Sequence, residues 1–172
     1  SVAAPRGVAY TDVPGHDGVR SDEGGIVRVI PPVIALAFTG AQAGLTALAG
    51  GRRRFPGQAA VAGALAAGSF ALGFAAMGGF QRAGTTPDPL HPDRASTLVT
   101  DGVYGHTRNP MYLSILIWLL AGTAASGRLR TLLALPAMVL ALEPQLRAEE
   151  TALTDLFGDE YTAYRARVRR WL

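Results

Sequence analysis

Residues 57–79 read GQAAVAGALAAGSFALGFAAMGG, a stretch without one charged side chain. A helix needs about 20 largely apolar residues to cross a hydrocarbon core of about 30 Å, and this stretch supplies them. Pro56 stands where a first helical turn tolerates proline. Ala59, Gly63, Ala67, Ala71, Ala75 and Gly79 place a small residue at every fourth position. Such a stripe lets a second helix approach closely inside a membrane. Gly40 and Gly44 give the preceding apolar stretch a matching step, so the stripe is expected to be a packing interface.

Working outward, the same absence of charge recurs in residues 30–50, 111–126 and 131–142. The span from Ile30 to Ala49 opens on Pro31-Pro32 and ends at Gly50-Gly51 and the run Arg52-Arg53-Arg54. The last two stretches are short for spans. They read as a tight helical hairpin whose second arm continues to Glu150. Charged residues are 17% of the chain and hydrophobic ones 49%, against about 25% charged in soluble domains. Charge gathered between apolar stretches is the distribution of a membrane protein. The expected fold class is therefore all-α: an integral membrane bundle of about four transmembrane helices with an amphipathic carboxyl-terminal helix. Residues 1–24, without apolar periodicity, read as a mobile tail, and 25–172 as a single domain. No apolar core of a signal peptide is found in that tail.

Composition also excludes classes of function. All sixteen basic residues are Arg, and the net charge is +3. They flank the apolar stretches, which suits membrane anchoring better than a nucleic-acid surface. The absence of Cys excludes a disulfide framework and a thiolate nucleophile. His16, His91 and His106 share no ligand spacing, so no metal is expected. No Gly-rich turn follows a strand, which argues against a Rossmann-type nucleotide site. Trp118 and Trp171 read as lipid-facing or interfacial. Arg165, Arg167, Arg169 and Arg170 read as a headgroup-binding face.

The polar stretch 81–108 is long for a turn, and long ordered loops tend to be functional. It leads into Arg108-Asn109-Pro110-Met111-Tyr112 at the mouth of the third helix. If helices three and four form a hairpin, that mouth lies beside Glu149-Glu150 at the end of the fourth. Acidic residues near a helix carboxyl terminus oppose the dipole, so a specific use is expected of this pair. Acids, a guanidinium, aromatics and the free amides of a helix start suit a zwitterion such as an amino acid moiety.

Residues 84–89 (GTTPDP), 98–112 (LVTDGVYGHTRNPMY) and 149–172 (EETALTDLFGDEYTAYRARVRRWL) resemble the isoprenylcysteine carboxyl methyltransferase family and its phospholipid methyltransferase relatives. The resemblance covers roughly residues 80–172. It implies an S-adenosylmethionine site built by the last hairpin and the carboxyl-terminal segment. Ser96, Thr97, Leu98 and Val99 would contact the cofactor through their backbone, and Tyr104 would lie against it. Arg108, Asn109, Pro110, Met111 and Tyr112 would hold its amino acid or ribose part, with Glu149 and Glu150 completing the site. Asn109 stands where eukaryotic members carry His. Gln145 stands where they carry an Arg facing substrate, and Arg147 is nearby, so these two are the candidate substrate contacts.

No catalytic side chain is expected beyond positioning, since the sulfonium of the cofactor already activates the methyl group. The implied activity is methyl transfer to a lipid-like amphiphile, isoprenylcysteine carboxyl methyltransferase-like. The alternatives are phospholipid N-methylation and a non-enzymatic membrane protein that keeps the fold. The partners are membrane lipids and a prenyl-like or other amphiphilic substrate. The short connections hold five Arg (Arg52, Arg53, Arg54, Arg128 and Arg130) and the other side eleven, so charge alone does not settle orientation. On total count and on the implied chemistry the 81–108 side is expected in the cytoplasm, in a bacterial inner membrane.

Overall fold

The computed structural model describes residues 31–48, 50–85 and 97–172. The expected tail 1–24 and Ser96 lie outside the described residues. Four α-helices follow one another: α1 Pro31–Leu48, α2 Gln58–Arg82, α3 Pro110–Ser126 and α4 Ala134–Arg167. Short 3-10 turns at Gly102–Gly105 and Leu129–Leu133 precede α3 and α4. Among the described residues there is no strand. Helices α1 and α2, and the segment Leu129–Arg167 that contains α4, are long and apolar enough to cross a membrane. Apolar α3, with 17 residues, reaches about 26 Å at 1.5 Å per residue. The chain is thus an all-helical integral membrane protein, as its charge distribution anticipates.

Helix α3 is the axis of the bundle. One side buries Tyr112, Ile115 and Leu119 against Met138, Leu142 and Leu146 of α4 and Ile34 of α1. Helix α2 covers another side, where the Ser69 hydroxyl donates to the Ser114 carbonyl at 2.8 Å. Backbones come that close because α2 presents small side chains there. A Cβ on Gly73 would already touch the Ser114 hydroxyl at 3.5 Å.

The face differs from the expected one. Residues Ala62, Ser69, Ala76 and Gly79 are the buried ones on α2, whereas Ala59, Gly63, Ala67 and Ala71 are exposed. Gly40, Gly44 and Gly63 have open space around them. Close packing through small residues is present, rotated around a helix that carries such residues on nearly every side.

Helix α3 starts with Pro110 in its first turn and stops at Gly127, whose left-handed φ of 64° closes the end. The Gly127 carbonyl then accepts from the Arg53 amide at 2.8 Å. The Gln58 side chain donates to the Ala124 and Ala125 carbonyls at 2.8 and 3.0 Å, satisfying acceptors that a helix end leaves without a partner. Helix α4 does not end at Glu150 as expected but runs on to Arg167. Glu149 and Glu150 thus lie inside it, so the terminal dipole gives no reason for a specific use of the pair. The helix is interrupted at Gly158 (φ 51°, ψ −121°). The expected amphipathic carboxyl-terminal helix is therefore the arm of α4 beyond this break. It ends at Val168, where the chain becomes extended.

Candidate active site

The α3–α4 hairpin sets the mouth of α3 against the stretch of α4 from Glu143 to Glu150. Three neutral and charged groups interlock there. The Tyr112 hydroxyl donates to Glu149 Oε1 at 2.9 Å. The Gln145 amide donates to the Tyr112 oxygen at 2.7 Å and to Glu149 Oε1 at 3.1 Å. Gln145 and Glu149 are one helical turn apart on α4, so they share a face.

Beside them lies an ionic group. Arg108 Nη1 stands 3.0 Å from Glu150 Oε1, and the two side chains are only 13% and 14% exposed. Tyr161, on the α4 arm, lies near the Arg108 charge. Arg108 Nε and Nη1 are buried and make no hydrogen bond among the described residues. The approach to Glu150 is close in distance but not aligned as a hydrogen bond, which requires direction as well as proximity. A buried donor without a partner costs about 1–3 kcal/mol, more when charged, so this guanidinium suits a further anionic group. Nε and Nη1 lie on different edges of the guanidinium, so each offers an anion a single charge-assisted hydrogen bond.

The final residues form a strap across the corner. The Arg108 amide donates to the Arg169 carbonyl at 3.0 Å. The Thr107 hydroxyl and the Asn109 side-chain amide both donate to the Arg170 carbonyl at 3.1 Å. Arg170 turns its guanidinium inward. Its Nε and Nη2 donate to Glu150 at 2.9 and 2.7 Å, and its Nη1 donates to both oxygens of Glu143 at 3.0 Å. Glu150 above all, and Glu143, hold the Arg170 pKa above its ordinary value, so it remains a cation.

A second wall comes from the loop before α3. Val99 and Tyr104 pack on Ala76, with Met111 and Phe80 against them. The packing opposite is tight: a Cβ on Gly79 would lie 3.3 Å from the Tyr104 ring and 3.4 Å from Val99. The Tyr164 hydroxyl donates to the Tyr104 carbonyl at 2.8 Å. Leu98 packs on Tyr161, Tyr164 and Val168 of the α4 arm and its end. Burial raises the pKa of the Tyr104 phenol above its usual range, leaving it neutral.

The structure therefore brings together Arg108, Asn109, Tyr112, Gln145, Glu149 and Glu150, with Leu98, Val99, Tyr104 and Met111 around them. Pro110 is buried in the first turn of α3, and Thr97 is exposed. Arg147 is exposed and pairs with Glu143 at 2.7 Å, on the flank of α4 rather than in the corner. Arg165, Arg167 and Arg169 are exposed, consistent with a headgroup face, but Arg170 leaves that group. Trp171 packs against the core of α1, α3 and α4. Trp118 is half-buried and donates to Thr39 at 3.1 Å. Glu143, Thr107 and Arg170 join the corner without standing among the expected site residues, although RRWL is part of the motif.

A family model described as phospholipid methyltransferase matches residues 58–160, more than half of the chain. The chain belongs to the phospholipid methyltransferase family. It is 36% identical over 72 residues to the protein-S-isoprenylcysteine O-methyltransferase of Schizosaccharomyces pombe, covering 41% of this chain and 30% of that protein. It is 44% identical over 63 residues to an uncharacterized protein of Haemophilus influenzae, covering 36% of this chain and all of that protein. No solved structure matches. Family membership makes the chain a membrane methyltransferase by descent, and the family match takes in the corner's residues from Arg108 to Glu150 but stops before Tyr161 and Arg170.

Proposed function

We propose that this protein is an S-adenosylmethionine-dependent methyltransferase acting on a lipid-like amphiphile that reaches the corner from the bilayer. The observation that carries the reading is the buried Arg108 guanidinium, whose Nε and Nη1 make no hydrogen bond among the described residues although Nη1 lies 3.0 Å from Glu150, beside the Tyr112–Gln145–Glu149 group. In this reading Arg108 holds the cofactor's carboxylate. Glu149 accepts charge-assisted hydrogen bonds from its ammonium or ribose hydroxyls, steadied by Tyr112 and Gln145. Val99, Tyr104 and Met111 form the apolar wall that excludes water, and Leu98 joins that wall to the α4 arm. The cofactor supplies a methyl group already activated on a sulfonium, so the side chains bind, orient and desolvate rather than attack. The corner faces the cytoplasm of a bacterial inner membrane, where the cofactor is available.

Two acceptors fit a lipid-like substrate: a carboxylate, as in isoprenylcysteine methylation, or an amine headgroup. One position favours the amine: where a cation facing a substrate carboxylate is expected, the chain holds neutral Gln145, engaged with Tyr112 and Glu149. An amine must lose a proton before it accepts the methyl group, and in this reading it passes that proton to water before it enters the corner. The test is to incubate the protein with methyl-labelled S-adenosylmethionine and a bacterial lipid extract, then analyse the lipids by mass. Label is expected in a lipid as an alkali-stable N-methyl group. An alkali-labile ester would restore the carboxylate reading, and no transfer to any lipid would overturn the proposal.

A further inference from the structure

Arg170 ties both walls of the corner together. Its side chain joins Glu143 and Glu150, seven residues apart on α4, while its carbonyl accepts from Thr107 and Asn109 at the mouth of α3. The arrangement bears directly on Arg108. Both oxygens of Glu150 receive aligned hydrogen bonds from Arg170, at 2.9 and 2.7 Å. The same carboxylate lies 3.0 Å from Arg108 Nη1, yet Nη1 and Nε make no hydrogen bond among the described residues. Two guanidinium groups thus share one acid, and the strap arginine holds it.

We infer that Arg170 is a positioning residue that engages Glu150 and so keeps the donors of Arg108 available to an anionic group of the ligand. This inference rests on the proposed cofactor site and deepens it. A carboxylate and an arginine readily form a bidentate pair. With Arg170 removed, Glu150 turns to Arg108, and the ligand's carboxylate meets a cation already neutralised. Lysine cannot replace Arg170, because a point charge on a flexible stem does not fork between Glu143 and Glu150. Arg170 touches no ligand in this scheme; it acts through Glu150.

The test is calorimetric titration of S-adenosylhomocysteine into the full-length protein in detergent, with melting followed in parallel. Arg170→Gln and Arg170→Lys are both expected to weaken binding on the order of tenfold, the low end of what loss of a residue supporting a ligand-contacting group costs. The deciding variant is Arg170→Gln combined with Glu150→Gln. Removing the carboxylate that captures Arg108 should recover most of the affinity, although the strap has lost its ion pairs. A merely structural role predicts the reverse, with the double variant binding no better than Arg170→Gln. Should Arg170→Gln not fold, Arg170→Lys with and without Glu150→Gln gives the same comparison. Arg165→Gln, on the exposed arm, serves as the control and should bind normally. Arg108→Ala separates the two ideas. If it binds like the parent, the cofactor site itself is wrong and the inference falls with it. If Arg108→Ala is weakened while both Arg170 variants bind within twofold of the parent, only the inference falls. Failure of Glu150→Gln to improve the affinity of either Arg170 variant also overturns it.

Discussion

Both ends of α3 are polar and largely buried, but they are polar in different ways. At the Ser126 end, Gln42, Gln58, Thr123 and Thr131 make neutral, matched hydrogen bonds. Gln42 donates to the Leu119 carbonyl at 2.6 Å and to Thr123 at 3.1 Å. Thr131 bonds between Thr123 and the Arg128 carbonyl, and Gln58 completes the helix end. At the Pro110 end ionic groups join the neutral ones, and Arg108 keeps two buried donors without a hydrogen bond among the described residues. Matched neutral bonds within a membrane hold helices together and leave nothing for a ligand. A buried cation with open valence costs stability and is understandable where something else is to be bound. The comparison separates an architectural end from a functional one within a single helix.

The largest effect expected at the architectural end comes from Gly122→Val. A Cβ there falls on the Gln42 side chain, so the substitution drives Gln42 from its place. The variant should lose about 3 kcal/mol, the upper part of the usual overpacking range, read as a lowered midpoint of denaturation in detergent. Gln42→Leu should cost about 1 kcal/mol, in line with interhelical hydrogen bonds in membranes. Its affinity for S-adenosylhomocysteine should stay within twofold of the parent. A large loss of affinity in that variant would erase the distinction between the two ends. Smallest of all, Gly63→Leu should shift stability by less than about 0.5 kcal/mol, since its side chain enters open space on α2. A marked fall there would show that the small-residue stripe is covered by a second chain.

How much of this is legible in the sequence depends on sign and phase. Charge exclusion marks the four helices because ionised groups avoid the hydrocarbon, and the shortness of the α3–α4 connection is enough to place Arg108 beside Glu150. The packing face of α2 is not legible, because with Ala and Gly on nearly every side no stripe stands out. Gln42 and Gln58 are silent because a neutral amide in an apolar stretch gives no hint of its partner. Arg170 eludes the pattern for a geometric reason. Nearness in the sequence groups it with Arg165, Arg167 and Arg169, but the helix ends at Arg167 and Val168 is extended (φ −116°, ψ 127°). Beyond that point the helical wheel no longer applies, and the chain returns Arg170 to the corner.

The claim that the Pro110 end of α3 is the cofactor site is tested most directly by titrating S-adenosylhomocysteine into Arg108→Ala and Glu149→Gln, beside Gln42→Leu. Hydrogen bonds to charged groups contribute about 1.5–3 kcal/mol, which corresponds to roughly ten- to a hundredfold in affinity. Arg108→Ala and Glu149→Gln should each lose that much while remaining folded, and Gln42→Leu should melt lower yet bind normally. If Arg108→Ala and Glu149→Gln both bind S-adenosylhomocysteine like the unmodified protein, the cofactor site lies elsewhere in the chain.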